Sequence, residues 1–234
     1  MINKFASSLV LSLGIFAAGY SISHAINNFR NFDRYVEVKG LDEEVVKSDQ
    51  ASWDISFNSS HNNLKELYQN ISQGQDTIVK FLLAQGFELN EIQKHQVSII
   101  DNQNINYAQQ NPNQPHYTAN SGIVLMTNKI DLVVKAMQKT GELLQSQIMI
   151  TNSFVNYSYT NLNSIKVNML NKATNNARLA AESFAKNSFS DLGKIKDANQ
   201  GQFSISSADG NTSYDTGSIY KKVRVVTSVK YFLK

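Results

Sequence analysis

Hydrophobic and polar positions along the chain form the same pattern twice. Residues 53–99 show a strand, a turn, a long amphipathic helix, a glycine and a strand, and residues 157–205 repeat that order. Each copy continues into one further strand, and a linking helix is predicted over residues 128–147 between the copies. The pattern therefore predicts an α+β fold of two β-α-β-β copies, roughly 45–127 and 153–234, with antiparallel or mixed sheets packed against long amphipathic helices.

The strand predictions rest on the alternation of apolar and polar residues. Residues 35–40 alternate in this way, and Gly40 is predicted to end the strand. The next predicted strand, residues 45–57, has Trp53 on its apolar face, which favours a core anchor over a platform for a ligand. Further strands are predicted over residues 92–100, 117–127, 154–159, 195–205 and 220–233.

Two long helices are predicted from apolar residues at helical spacing. The first covers residues 63–85, where Asn63 and Glu66 resemble a capping box and Gly86 suits the left-handed position after the helix. The second covers residues 164–187, and small residues on its inner face would let it lie close to a sheet. Its predicted buried side consists of Leu170, Ala173, Ala177, Ala180, Ala181 and Phe184.

The N-terminus has the composition of an export segment over residues 1–25. Lys4 supplies a positive charge, an apolar run without charge follows, and small residues precede a cleavage position after Ala25. The segment is predicted to be a cleaved signal peptide or an uncleaved anchor formed by residues 5–22, and a buried helix of the domain is the third interpretation. The first two export the domain, residues 35–234, to the periplasm or cell envelope, with residues 26–34 as a tether.

Composition narrows the classes of function. The 234 residues are 41% hydrophobic and 18% charged, as in a folded globular protein. The net charge of +3 is too small for a protein that neutralises phosphates, so no nucleic-acid partner is expected. The chain has no cysteine, which excludes disulfides, thiol nucleophiles and thiolate metal sites. An exported chain of this kind must be stable through its core alone.

The last predicted strand carries basic residues on the side opposite to most of its valines. Alternation places Lys222, Arg224 and Lys230 on this side, together with the terminal Lys234. One interpretation is a solvated strand face that these charges protect from edge pairing. The other is a contact surface for anionic lipid headgroups or an acidic partner, for which these four residues are the candidate site.

No catalytic or metal-binding constellation stands out in the sequence. His24 lies in the export segment and is expected to be removed or membrane-proximal. The other histidines lack the spacing that places two ligands on one helical face, and surface or capping roles are expected for His61, His95 and His116. Nucleophile-elbow and phosphate-loop motifs do not occur. Asp49 and Asp54 flank Trp53, but alternation puts Asp54 on the opposite face, and no catalytic pair is predicted. No cofactor is expected.

Five segments match the order and spacing of a known family. Residues 176–185 (NARLAAESFA) lead into residues 192–195 (LGKI) and 201–205 (GQFSI). Near the start of the domain, residues 36–40 (VEVKG) are followed by residues 47–51 (KSDQA). Together these segments resemble the SIMPL-domain family, long described as a domain of unknown function, and the resemblance covers nearly everything after Tyr35.

The resemblance implies an exported bacterial envelope or periplasmic protein. Some members of the family assemble into ring- or channel-like oligomers, and links to oxidative-stress tolerance have been proposed. The family has no agreed catalytic residues to carry over to this chain. The predicted loop over residues 101–116 is unusually rich in Asn and Gln, so any assembly through this loop is expected to differ.

We therefore expect an exported cell-envelope protein whose role is structural or interaction-based rather than catalytic. It is expected to act as a homo-oligomer, with membrane contact through its N-terminal segment. The alternative is a periplasmic ligand- or partner-binding module that uses loop 101–116 or the basic last strand. An enzyme of unfamiliar design is the third interpretation.

Overall fold

The computed structural model describes residues 14–23, 34–105, 114–210 and 217–234. A single turn of 3-10 helix, Leu89–Glu91, precedes the third strand. Helices and antiparallel sheets together confirm the predicted α+β class. Numbered in chain order, the elements are α1 (residues 14–23), β1 (Tyr35–Lys47), β2 (Gln50–His61), α2 (Leu64–Ala84), β3 (Ile92–Lys94), β4 (Ser98–Asp101), α3 (Asn102–Ile105), β5 (Tyr117–Thr127), α4 (Ile130–Met137), α5 (Gly141–Gln145), β6 (Ile150–Ser158), α6 (Leu162–Asn187), β7 (Leu192–Gln200), β8 (Ser204–Ser207) and β9 (Tyr220–Leu233).

Three sequence predictions fall wholly or partly outside the described residues. Of the export segment only α1 is described, and the cleavage position Ala25 lies outside with His24. The tether, residues 26–34, is described only at Arg34. Residues 106–113 of the predicted loop also lie outside.

The described residues divide into two compact units, and each unit collects segments that are far apart in the sequence. Unit 1 comprises the described parts of Met1–Glu43, Ile165–Phe203 and Arg224–Lys234. Unit 2 comprises those of Glu44–Ser164 and Ser204–Val223. The division differs from the two consecutive copies, 45–127 and 153–234, that the repeat predicts, because strands pair across the copies.

A five-stranded antiparallel sheet forms unit 2, in the order β3-β5-β2-β6, with β4 also paired to β5. Trp53 of β2 lies opposite Leu125 of β5 and Val155 of β6. Its side chain is fully buried, and its indole N–H donates to Ser153 Oγ at 3.0 Å. The predicted role of Trp53 as a core anchor is confirmed, since the helices pack around it in one hydrophobic cluster.

The predicted limits of the first long helix are confirmed by α2. Asn63 caps its start, and the Asn63 Oδ1 accepts from the backbone N–H groups of Lys65 at 2.9 Å and Glu66 at 3.3 Å. The Glu66 carboxylate lies 3.0 Å from His61 Nε2. Gly86 follows the helix with a φ of 101°, the left-handed conformation that glycine adopts without strain.

The predicted linking helix over residues 128–147 is instead two short helices, α4 and α5. The break falls at residues 138–140, where the Thr140 hydroxyl donates to the Met137 carbonyl at 2.8 Å. Gly141 follows, and glycine has a low helix propensity. A competing side-chain bond next to a glycine explains why the helix does not continue.

Three predicted strands are also divided, each at a residue whose backbone N–H still donates to another segment of the chain. Residues 45–57 are split at Ser48, whose N–H donates to the Ile219 carbonyl at 2.8 Å. Residues 92–100 are split at His95, which donates to Gly122 at 2.9 Å, and residues 195–205 at Gly201, which donates to Val226 at 2.9 Å. Alternation alone does not reveal these bonds, because their partners lie elsewhere in the chain.

The second sheet has the order β1-β9-β7, with β8 also paired to β9. Within unit 1, α6 packs close to β1. Gly40 does not end the strand as predicted, because β1 continues to Lys47. A Cβ atom at Gly40 would overlap the carbonyl oxygen of Ala173, so glycine is required by the close approach of helix and strand. On β9, alternation is confirmed by buried Val225, Thr227, Val229 and Tyr231.

The buried face of α6 is narrower than the apolar pattern predicts. Leu170 and Ala180 are only half-buried, and Phe184 is 60% exposed, so the prediction that Phe184 faces the core is wrong. Because the approach of α6 to Gly40 leaves room only for small side chains at Ala173 and Ala177, Phe184 lies outside this contact. The buried residues are Met169, Ala173, Ala177, Ala181 and Ala185.

Candidate interaction sites

The four basic residues of the predicted anionic contact differ in how far their charge is offset. The Arg224 guanidinium lies 3.1 Å from Glu43 Oε1. The Lys230 ammonium lies 3.8 Å from Asp197 Oδ2 and 4.0 Å from Glu37 Oε2. Neither Lys222 nor Lys234 pairs with a carboxylate among the described residues. Lys222 belongs to unit 2, and the other three basic residues belong to unit 1. Binding of these residues to an anionic surface stays a prediction.

Each described histidine lies next to one carboxylate in unit 2. His61 also accepts from the backbone N–H of Asn63 at 3.0 Å, which places it at the start of α2 as expected. Within the described residues, no three His, Asp or Glu side chains come together as a metal site would need. The pairs are His61 with Glu66 at 3.0 Å, His95 with Asp54 at 3.3 Å, and His116 with Asp101 at 3.1 Å.

The two aspartates that flank Trp53 have local structural partners. Asp49 accepts from the backbone N–H groups of Thr160 at 2.7 Å and Asn161 at 2.9 Å, just before α6. Asp54 accepts from the Ser56 hydroxyl at 2.6 Å on the face opposite Trp53. Asp49 therefore fixes the chain that leads into α6, as an N-terminal capping residue does.

An ionic cluster that the sequence does not predict joins the 3-10 turn to the end of β5. Glu91 accepts from the Thr127 hydroxyl at 2.6 Å, the Glu88 backbone N–H at 2.7 Å and the Lys129 ammonium at 3.1 Å. Burial by itself would raise the pKa of Glu91, but these hydrogen bonds and the Lys129 charge outweigh it and hold the pKa below its ordinary value. The cluster therefore stabilises a chain turn by joining it to the end of β5.

A groove of about 430 Å³ lies within unit 2, between the end of β2, one face of α2 and residues 146–149. Its lining contains no charged residue and is rich in amides and hydroxyls. We call it the neutral groove. Its polar side chains come from Asn58, Ser59, Asn70, Gln73, Thr77, Ser146 and Gln147.

The free edge of the unit 2 sheet is formed by β6. Among the described strands only β2 pairs with β6, so the other side of β6 carries unpaired backbone groups. Its sequence, ITNSFVNYS, contains no charged residue and no proline. Phe154 at its centre is 43% exposed. Such an edge lacks the charges and proline that usually prevent pairing with another chain. A bulge at Thr151 interrupts its ladder with β2 near the start, and residues 152–158 pair regularly.

The neutral groove and the free edge of β6 each have a signal in the sequence other than the alternation of apolar and polar residues. Asn70, Gln73 and Thr77 lie at helical spacing and form a polar stripe beside the apolar face of α2. The nine residues of β6 form an uncharged run. The remaining parts of the neutral groove come from other segments, so the sequence alone does not bring them together.

Comparison with known families identifies the class of this two-unit α+β protein. A family model described as SIMPL, a protein of unknown function (DUF541), matches residues 36–231. The match covers most of the chain, and the chain therefore belongs to the SIMPL family, as its resemblance predicts. A search of curated proteins gives no match.

Solved structures offer only distant similarity. An uncharacterized conserved protein from Listeria innocua is 11% identical, with 79% of this chain and 91% of that chain covered and a TM-score of 0.21. A protein described as a hydrolase from Listeria innocua is 10% identical, with 82% and 92% covered and a TM-score of 0.21. Such TM-scores do not establish a common fold.

Within residues 14–23, 34–105, 114–210 and 217–234, no helix combines the length and the apolar character that a membrane span needs.

Proposed function

We propose that this SIMPL-family chain is an exported cell-envelope protein that acts through interactions rather than catalysis, as a homo-oligomer. Export is supported by the apolar N-terminal run after Lys4 and by membership of a family that is generally exported. A role in envelope or oxidative-stress tolerance is part of the proposal on the strength of the family resemblance. The observation that carries the assembly is the uncharged free edge of β6.

The contrast with the other edge strands makes β6 distinctive. Charged residues occur in β1, β3, β4 and β7, as in edges that avoid pairing. The uncharged β8 is only four residues long. In contrast, β6 has nine residues, a length of about 30 Å. An uncharged edge without proline, regular over residues 152–158, favours pairing with a further strand.

A second copy of the chain suits this edge because β6 is self-complementary. In an antiparallel pair centred on Phe154, the two Phe154 side chains face each other, and Asn152 of each copy faces Asn156 of the other. Aromatic pairs and amide pairs at such positions stabilise a ladder. Since β6 carries no charge, the two-fold arrangement brings no like charges together. Pairing of β6 with β6 would thus join two five-stranded sheets.

Light scattering after size exclusion tests the proposal on the full chain, purified in a mild detergent whose mass is subtracted. We expect a discrete mass that is a multiple of the protomer. Phe154→Lys should reduce this mass, because it places like charges opposite each other at the centre of the pair. Leu179→Lys is the matched control, since it replaces a 55% exposed residue of α6 with the same charge.

The outcomes separate the two parts of the proposal. A monomer at every concentration would reject the homo-oligomer. An oligomer that Phe154→Lys leaves intact would retain the assembly and reject β6 as its interface.

A further inference from the structure

The neutral groove has a rigid framework within unit 2. Its floor is formed where the buried Phe57 ring lies against Gly74 of α2, since a Cβ atom at Gly74 would come within 2.5 Å of the ring. Buried Ile148 anchors the third wall. The helix and strand that carry the lining are therefore fixed relative to each other before a ligand arrives.

Four side-chain amides of the groove have no hydrogen-bond partner among the described residues. The residues contributing them are Asn58, Asn70, Gln73 and Gln147. Gln147 also has a φ of 61°, a left-handed conformation that is costly for a residue with a side chain. Strained backbone of this kind is concentrated at binding sites.

The lining selects the chemical class of the ligand. An amide offers both a donor and an acceptor, and so does a hydroxyl group, which makes the two complementary. A charged ligand would lose its hydration in a groove that offers no opposite charge. An apolar ligand would cover the amides without replacing their bonds to water. The volume of about 430 Å³ lies within the range of small-molecule sites.

We propose that the neutral groove binds an uncharged, polyhydroxylated ligand, namely one or two sugar units of a neutral glycan. Asn70 and Gln73, one helical turn apart on α2, bond the sugar hydroxyls from one wall. Asn58 and Gln147 bond them from the other two segments. The exposed side chain of Met149 supplies an apolar contact for the C–H face of the ring. The proposal does not depend on assembly through β6.

Calorimetric titration of the full chain with maltotetraose, cellotetraose and chitotetraose tests this inference, with tetragalacturonate as the charged counterpart. We expect at least one neutral sugar to bind with a Kd of about 1 mM or tighter. The double variant Asn70→Ala/Gln73→Ala should weaken that binding about tenfold, since two hydrogen bonds are lost. The matched control is Asn168→Ala/Asn171→Ala, which removes two exposed amides at the same spacing on α6.

Three results would overturn the proposal. The first is that none of the three neutral sugars binds at about 10 mM, far above the expected Kd. The second is that the double variant of α2 binds the sugar as tightly as the parent protein. The third is that tetragalacturonate binds as tightly as the neutral sugars. A thermal melt of each variant without sugar confirms that it is folded. Sugar binding to the native protein should also raise its melting temperature.

Discussion

Gly40 of β1 lies directly against Ala173 of α6, so closely that a Cβ atom on Gly40 would overlap the Ala173 carbonyl oxygen. The two residues are far apart in the sequence, and their contact fixes how the helix lies on the sheet of unit 1. The alanine face of α6 and the glycine of β1 are thus parts of one close approach between backbones.

Replacing Gly40 with alanine should therefore destabilise the protein by about 3 kcal/mol, since the overlap is with rigid backbone. Urea unfolding measures the change. Gly141→Ala is the control, because nothing lies within 4 Å of a Cβ atom there. That variant should gain about 0.5 kcal/mol through the better helix propensity of alanine. Equal effects at the two positions would contradict the contact.

The register of the proposed β6 pair can be tested with a single cysteine. The chain has no cysteine of its own, so Phe154→Cys introduces one thiol per copy. Facing residues of an antiparallel pair have Cα atoms about 4.5 or 5.5 Å apart, both within the range that a disulfide spans. We expect a covalent dimer on oxidation, seen on a non-reducing gel.

Leu179→Cys is the control for random collision, because Leu179 is exposed and lies on α6. Equal dimer formation by both variants would argue against the register centred on Phe154.

Stability should depend on pH through Glu91. Its pKa in the folded protein lies below the ordinary value of 4.5, so its stabilising contribution is complete above that pH. The contribution is lost as the pH falls through the lowered folded-state pKa. We expect Glu91→Gln to cost about 1 kcal/mol at neutral pH, and this difference from the parent protein to shrink below pH 4.5.

Urea unfolding between pH 3 and pH 7 measures this difference in stability. These limits lie roughly 1.5 units below and roughly 2.5 units above the ordinary pKa of the carboxyl group. Glu142→Gln removes an exposed carboxylate outside the cluster and should change stability less. A constant difference between Glu91→Gln and the parent at all pH values would refute the role of the cluster.

Phe189 combines two unfavourable properties that glycine would relieve. It follows α6 with a φ of 54°, and its side chain is completely exposed. Phe189→Gly should raise stability by about 1 kcal/mol, because glycine adopts this conformation without strain and no packing is lost. Phe189→Ala, which keeps a Cβ atom, should leave the melting temperature nearly unchanged. A gain from alanine as large as that from glycine would exclude backbone strain as the cause.

The basic residues should contribute unequally to any binding of anionic vesicles. Lys222 has no carboxylate partner among the described residues, whereas Arg224 lies 3.1 Å from Glu43. Lys222→Gln should therefore weaken binding to phosphatidylglycerol vesicles about fivefold, and Arg224→Gln less. Vesicle co-sedimentation at low salt measures both. Unchanged binding after joint neutralisation of Lys222, Arg224, Lys230 and Lys234 would remove this surface from consideration.

Local signals in the sequence predicted local structure well. The limits of α2 are set by Asn63 and Gly86, which act within a few residues of their own positions, and they were predicted within one residue. The pattern wrongly predicts that Gly40 ends a strand, because the reason for this glycine is a helix more than a hundred residues away. The predicted burial of Phe184 is wrong for the same reason: spacing identifies apolar residues, but alanines of α6, and not Phe184, lie against β1.

The candidate sites depend still more on tertiary structure. The polar stripe of Asn70, Gln73 and Thr77 is visible in the sequence, but Gln147 and Asn58 reach it only through the fold. The edge position of β6 follows from strand order, which alternation does not specify. An uncharged run of residues indicates a pairing edge only when it forms an edge strand of a sheet.

The absence of charge that would favour pairing of β6 with a second copy would also favour aggregation. An open ladder pairs with any extended chain, including an unfolded copy, and such pairing can continue into aggregates. A newly folded molecule would be exposed to this risk until its edge is covered. Assembly would then also protect the native protein from aggregation, because it would cover the free edge of β6.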